Sequence, residues 1–125
     1  MEKLRVGVVG VGSVVREIYQ YLYFHSDYSH FLDIVAVADP NAEFLKWFCD
    51  TYNIPAERRF TDYREMFAKI DLDAAQINTP DHIHAAPAIA ALEAGLDVVV
   101  PKPTAATVKD THAMIQAAKR TGRLM

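Results

Sequence analysis

Short apolar runs that do not alternate between faces, separated by segments of helical period, constrain this chain more than any other feature. Val6-Gly7-Val8-Val9, Val35-Ala36-Val37-Ala38 and Val98-Val99-Val100 are apolar on both sides. Such strands must be covered on both faces, and a parallel sheet with helices above and below does this. The order along the chain agrees. A strand from Leu4 to Val9 leads to a helix from Ser13 to about Phe24, then a strand from Ile34 to Ala38 and a helix from Ala42 to about Tyr52. A weak strand near Arg59-Phe60 follows, with a helix from Tyr63 to Ala68, a strand from Ala74 to Asn78 and a helix ending at Ala94. The last elements are a strand from Asp97 to Val100 and a helix from Val108 to about Arg120. Gly95 and Gly122 stand where left-handed helix caps are expected. Arg123-Leu124-Met125 reads as the start of a sixth strand. The expectation is an α/β, doubly wound parallel sheet in one domain over residues 1–125, truncated at the sixth strand.

The composition narrows the partners. A chain of 125 residues, 51% hydrophobic, can bury roughly two thirds of its unfolded surface and folds without disulfide or structural metal. Thirteen Lys and Arg against sixteen Asp and Glu give a formal charge of −3, and no block of like charge occurs. That excludes a disordered chain and a basic nucleic-acid binder. No apolar run is long enough to span a membrane, and Met1-Glu2-Lys3-Leu4-Arg5 is charged where a signal peptide would become apolar. Cys49 is the only cysteine, so a reducing compartment, the cytoplasm, is expected.

The chemistry begins at Val8-Val9-Gly10-Val11-Gly12-Ser13-Val14-Val15, a strand running into a Gly-x-Gly turn and a helix start. Gly10 permits the tight turn. Gly12 removes the side chain that would keep a pyrophosphate from the free N–H groups of the helix N-terminus, where Ser13 adds a hydroxyl and Val14 follows. The third position of the fingerprint is Val15 instead of a small residue. Tight strand-to-helix turns also use glycine for steric reasons alone. Asp39, at the end of Val37-Ala38-Asp39-Pro40, lies 39 − 10 = 29 residues after Gly10, against roughly 20 in the compact form of the unit. The stretch from Phe24 to Phe31 accounts for the excess. At that place an acid accepts hydrogen bonds from a ribose 2′-hydroxyl and repels a 2′-phosphate, which favours NAD over NADP. The alternative is that Asp39 starts a turn and caps the next helix.

Further on, Asn78-Thr79-Pro80-Asp81-His82-Ile83-His84 forms a polar turn between a strand and an Ala-rich helix, and Val100-Pro101-Lys102-Pro103 follows the fifth strand. The order of glycine turn, acid, Asn-Thr-Pro with a following His, then Lys-Pro resembles the nucleotide-binding domain of the glucose-fructose oxidoreductase / inositol dehydrogenase / MocA family. The resemblance covers nearly the whole chain. It implies a Rossmann domain that binds NAD across the carboxyl ends of its first and fourth strands. Thr79, Pro80, His82 and His84 would border the cofactor, and Lys102 would stand beside nicotinamide and substrate as the catalytic residue. An ammonium there can polarise a hydroxyl or carbonyl oxygen during hydride exchange; the alternative is an ordinary exposed lysine. The family usually has a glutamate before this lysine, and this chain has Pro101.

Members of that family carry a second α/β domain, absent here, that completes the substrate pocket. The expected function is therefore the dinucleotide-binding half of an oxidoreductase acting on a sugar, polyol or related hydroxyl, inactive alone. A non-catalytic dinucleotide-binding or regulatory module is the second reading; an adenosylmethionine-dependent methyltransferase shares the glycine turn but leaves the Asn-Thr-Pro and Lys-Pro motifs unexplained. His82 and His84 lack the third ligand a zinc site needs. Val15, Ile18 and Leu22 are expected in the core of the first helix, and Met114, Ile115 and Ala118 in that of the last. The aromatic cluster from Tyr19 to Phe31 extends the core or meets another surface. An open edge beside Val98 to Val100 invites a second copy, a homo-oligomer.

Overall fold

The computed structural model describes residues 2–125. Strands β1 (Leu4–Val9), β2 (Leu32–Ala38), β3 (Arg59–Phe60), β4 (Ala74–Ile77) and β5 (Asp97–Val99) form one sheet in the order β3-β2-β1-β4-β5. Every pairing is parallel. From β1 the chain steps outward to β3, then crosses back and continues to β5 on the other side. This reversal leaves a crevice at the carboxyl ends of β1 and β4.

The first helical stretch covers residues 13–24; its middle, Val15–Tyr19, is π-helical and its end, α1 (Gln20–Phe24), is α-helical. Then come α2 (Ala42–Thr51), α3 (Tyr63–Lys69), α4 (Ala85–Glu93) and α5 (Val108–Thr121). Three of them begin at a side-chain cap. Asn41 Oδ1 accepts from the N–H of Glu43 and Phe44 at 3.0 and 3.1 Å, Asp62 Oδ1 from Arg64 at 2.8 Å, and Thr107 Oγ1 from Asp110 at 3.1 Å. Each satisfies donors that a helix start leaves unpaired. Gly122 closes α5 in the left-handed region, and Gly95 does the same after α4.

The two faces of the sheet hold separate cores. Under the first helical stretch and α2 lie Val8, Val11, Val15, Tyr23, Val37, Leu45, Phe48 and Cys49. Under α3, α4 and α5 lie Met66, Ile77, Ala88, Ala91, Leu92 and Met114. The doubly wound α/β architecture read from the strand composition is the observed one. Leu124 extends it, accepting a hydrogen bond from Val98 N–H at 2.9 Å, in the place of a sixth strand beside β5.

The first helical stretch departs from its expected face. Ile18 and Leu22 are exposed, while Val15 and Tyr23 are buried. The cause is the π turn, in which the Gln20 N–H bonds to Val15 O five residues back. Its wider turn advances the core-facing positions by four, to Val15, the half-buried Tyr19 and Tyr23, instead of the 15, 18, 22 spacing of an α-helix. Phe24 then stacks on Tyr52 of the α2 end, with ring centroids 3.8 Å apart, so part of the aromatic cluster is core while Tyr21 and Tyr28 face outward. In α5, Met114 and Ala117 are buried and Ile115 is exposed.

At the opposite end of the sheet from the crevice, Arg5 joins β1 to β4. Its guanidinium donates to Asp73 at 2.8 and 3.2 Å and also reaches Asp71, and its backbone N–H donates to Asp73 at 2.9 Å. These bonds, the side-chain ones foremost, hold the Asp73 carboxyl down at about 2. A carboxylate depressed below its ordinary value of about 3.9 stabilises the fold above that value and loses its contribution as pH falls toward 2. Asp73→Asn is therefore expected to flatten the decline of the urea midpoint between about pH 4 and pH 2. An unchanged acid slope in the variant would remove Asp73 from the account.

Candidate functional site

The carboxyl end of β1 passes into the turn at Gly10, whose φ of +93° favours glycine. A Cβ built there would lie 2.9 Å from the Asn78 carbonyl carbon and 3.0 Å from Thr79 N. The turn thus presses directly against the backbone that leaves β4. Gly12 is different: a Cβ would meet only the Phe44 ring, at 3.7 Å. Nothing among the described residues excludes a side chain at Gly12, and its bareness opens the helix start to a ligand. Among the described residues, no acceptor pairs with the backbone N–H of Gly12, Ser13 or Val14.

Asp39 braces this turn. Its Oδ2 accepts from Val11 N–H at 2.9 Å, its Oδ1 from Asn41 N–H at 2.8 Å, and its own N–H donates to Phe60 O at 3.0 Å. It is 7% exposed. The turn alternative is partly realised, since Asp39 bonds to Asn41 N–H, but the cap of α2 is Asn41 itself. Each carboxylate oxygen retains acceptor capacity beyond one bond. Asn78 closes the floor: its Nδ2 donates to Tyr23 Oη at 3.1 Å and to Gly10 O at 3.4 Å. Burial holds the Tyr23 hydroxyl well above its ordinary range, so it stays protonated.

These groups open onto a cavity of about 600 Å³. Of the residues singled out in the sequence, Gly10, Gly12, Ser13, Val14, Asp39, Thr79, Pro80, His84 and Lys102 line it together. His82 does not; its side chain is 68% exposed, 4.0 Å from Asp81. The ring of His84 is buried and turned toward backbone carbonyls. Among the described residues no three His, Cys, Asp or Glu side chains gather as metal ligands. Lys102 lies in the loop after β5, flanked by Pro101 and a cis Lys102–Pro103 peptide.

A second cavity of about 370 Å³ adjoins the first and shares Gly10, Asp39, Pro40, Thr79 and Ile83 with it. Thr61, Tyr63 and Arg64 complete its wall. No sequence signal marks these three residues. They arrive because β3, two residues long, ends beside β2 and delivers the start of α3 to the same edge. Arg64 lies over the Tyr63 ring at 4.8 Å and 3.6 Å from Asp62. An anion-accepting glycine turn, a buried carboxylate beside it and two joined chambers suit a dinucleotide, two nucleosides linked by a pyrophosphate. Cys49 takes no part: it is buried under α2, and burial pushes its thiol up to about 11.

The comparisons with known proteins agree with this geometry. Residues 4–125 match the model of an oxidoreductase family with an NAD-binding Rossmann fold. Inositol 2-dehydrogenase of Salmonella typhimurium is 30% identical over 122 residues, 98% of this chain and 35% of the relative. The scyllo-inositol 2-dehydrogenase (NADP(+)) of Bacillus subtilis is 35% identical over 89 residues, 71% of this chain and 26% of that protein. The crystal structure of the WlbA dehydrogenase from Chromobacterium violaceum, in complex with NADH and UDP-GlcNAcA, superposes with a TM-score of 0.87 at 25% identity, over 98% of this chain and 34% of that one. The chain thus spans about a third of the length of the relatives it matches. No helix among the described residues is long and apolar enough to cross a membrane. Matched to the family model over residues 4–125, the chain belongs to the glucose-fructose oxidoreductase / inositol dehydrogenase / MocA oxidoreductase family, as an NAD-binding Rossmann domain.

Proposed function

We propose that this chain is the cofactor half of a dehydrogenase that oxidises a hydroxyl of a cyclitol, sugar or related polyol, and that it turns over no substrate alone. The observation that carries the reading is the single cavity on which Lys102 stands with Gly10, Gly12 and Asp39. NAD, when bound, supplies the hydride acceptor. The free N–H groups of Gly12, Ser13 and Val14 would hold its pyrophosphate, and Asp39 would accept from its adenosine ribose and disfavour a 2′-phosphate. Thr79 stands between the two chambers and Pro80 walls the larger one. The Lys102 ammonium would polarise the reacting oxygen by donating a hydrogen bond to it. Pro101 stands where the family usually has a glutamate, so Lys102 lacks an adjacent carboxylate to orient it.

The other components of the reading are coarser. The lone buried Cys49 supports a reducing, cytoplasmic setting. Leu124 takes the Val98 N–H and so covers part of the β5 edge; the 58% exposed Val99 beside it supports contact with a second copy there. The acidic balance of the chain speaks against nucleic acid as a partner.

The proposal is tested by following NADH formation with NAD and a panel of cyclitols and sugars. The chain alone is expected to show none, and substrate-dependent turnover by these 125 residues would contradict the proposal. Joined to the substrate half of the Salmonella relative, the chain is expected to turn over, and Lys102→Met to lower kcat by about 10²–10⁴ with NAD affinity retained. Pro101 favours the second reading, a binding module without catalysis. A fusion that binds NAD yet stays inactive after Pro101→Glu would support that reading instead.

A further inference from the structure

His84 stands at the foot of α4, 3% exposed, with its ring between two loops of the cleft. Nε2 lies 2.6 Å from the carbonyl oxygen of Thr79, and Nδ1 lies 3.1 Å from those of both Pro103 and Thr104. All three neighbours are acceptors. The ring thus spans the gap between the turn after β4 and the loop after β5, with one nitrogen within hydrogen-bond distance of each.

The two sides are not equally held without the ring. Thr79 follows β4, whose last turn is anchored by Asn78 N–H on Val9 O at 2.7 Å. The loop after β5 has no such anchor: across residues 101–106, the bonds to His84 are the only hydrogen bonds among the described residues. Ala105 merely rests against the core. Lys102 immediately precedes the two carbonyls that His84 grips.

We propose that His84 is a positioning residue: its ring, seated between the Thr79 carbonyl and those of Pro103 and Thr104, clips the loop carrying Lys102 to the turn after β4 and sets the ammonium at the mouth of the cleft. The use made of Lys102 rests on the dehydrogenase reading; the clip does not, and its test needs neither NAD nor turnover. In backbone relaxation, His84→Gln and His84→Ala are expected to lower the order parameters of Lys102, Thr104 and Ala105 from about 0.85 to below about 0.6, while Gly10 and Asn78 keep theirs. Unchanged loop order in both variants, or equal loosening of Gly10 and Asn78, overturns the proposal.

Discussion

Gly10→Ala is expected to be the most damaging single-methyl change in the chain. The new Cβ would stand 2.9 Å from one backbone atom and 3.0 Å from another at the end of β4, and φ of +93° is strained for any L side chain. Neither neighbour is a flexible side-chain end that could swing away. The backbone strain alone is worth about 1–3 kcal/mol, and pushing β4 from β1 adds to it. Urea unfolding of the variant should show a lower midpoint with an unchanged slope. Gly12→Ala is the control. With only the Phe44 ring at 3.7 Å, it should fold within about 1 kcal/mol of wild type yet lose NAD affinity, because its methyl enters the helix start. Comparable stability losses in the two variants would contradict the separate roles given to these glycines.

Asp39→Ala is expected to damage both fold and binding. It deprives Val11 and Asn41 of the acceptor they reach at 2.9 and 2.8 Å. An orphaned buried donor costs about 1–3 kcal/mol, with the part-exposed Asn41 at the lower end. Losing a hydrogen bond from the ribose to a carboxylate should weaken NAD by roughly 10- to 100-fold, the equivalent of about 1.5–3 kcal/mol. Asp39→Asn separates the effects: its amide oxygen can still accept from Val11, so stability should recover more than affinity does. A stable Asp39→Ala that binds NAD as wild type would remove Asp39 from both roles.

Residues whose surroundings are local were legible in the sequence; those whose partners come from distant segments were not. The unalternating valine runs sufficed for a two-sided parallel sheet because both faces of each strand carry the same signal. Gly10 and Asp39 were legible because a strand-end turn and a strand-end acid are fixed by their neighbours. The π turn at Val15–Tyr19 left no mark in the pattern, and Ile18 and Leu22 were misplaced with it. Tyr63 and Arg64 reach the cleft only through the pairing of β3 with β2. His84 was legible as a cleft residue, but its partners Pro103 and Thr104, nineteen and twenty residues on, were not. His82, two residues earlier, is exposed and does not line the cleft. Alternating directions of near neighbours cannot be read from a short polar turn, because it has no period.

The central claim, that this chain alone forms a dinucleotide cleft, is tested most directly by calorimetric titration of the purified protein with NAD and with NADP. The account predicts one saturable NAD site, weaker NADP binding through repulsion of the 2′-phosphate by Asp39, and loss of the NAD heat in Gly12→Ala. A folded chain that binds neither nucleotide, or that binds NADP more tightly than NAD, would contradict it.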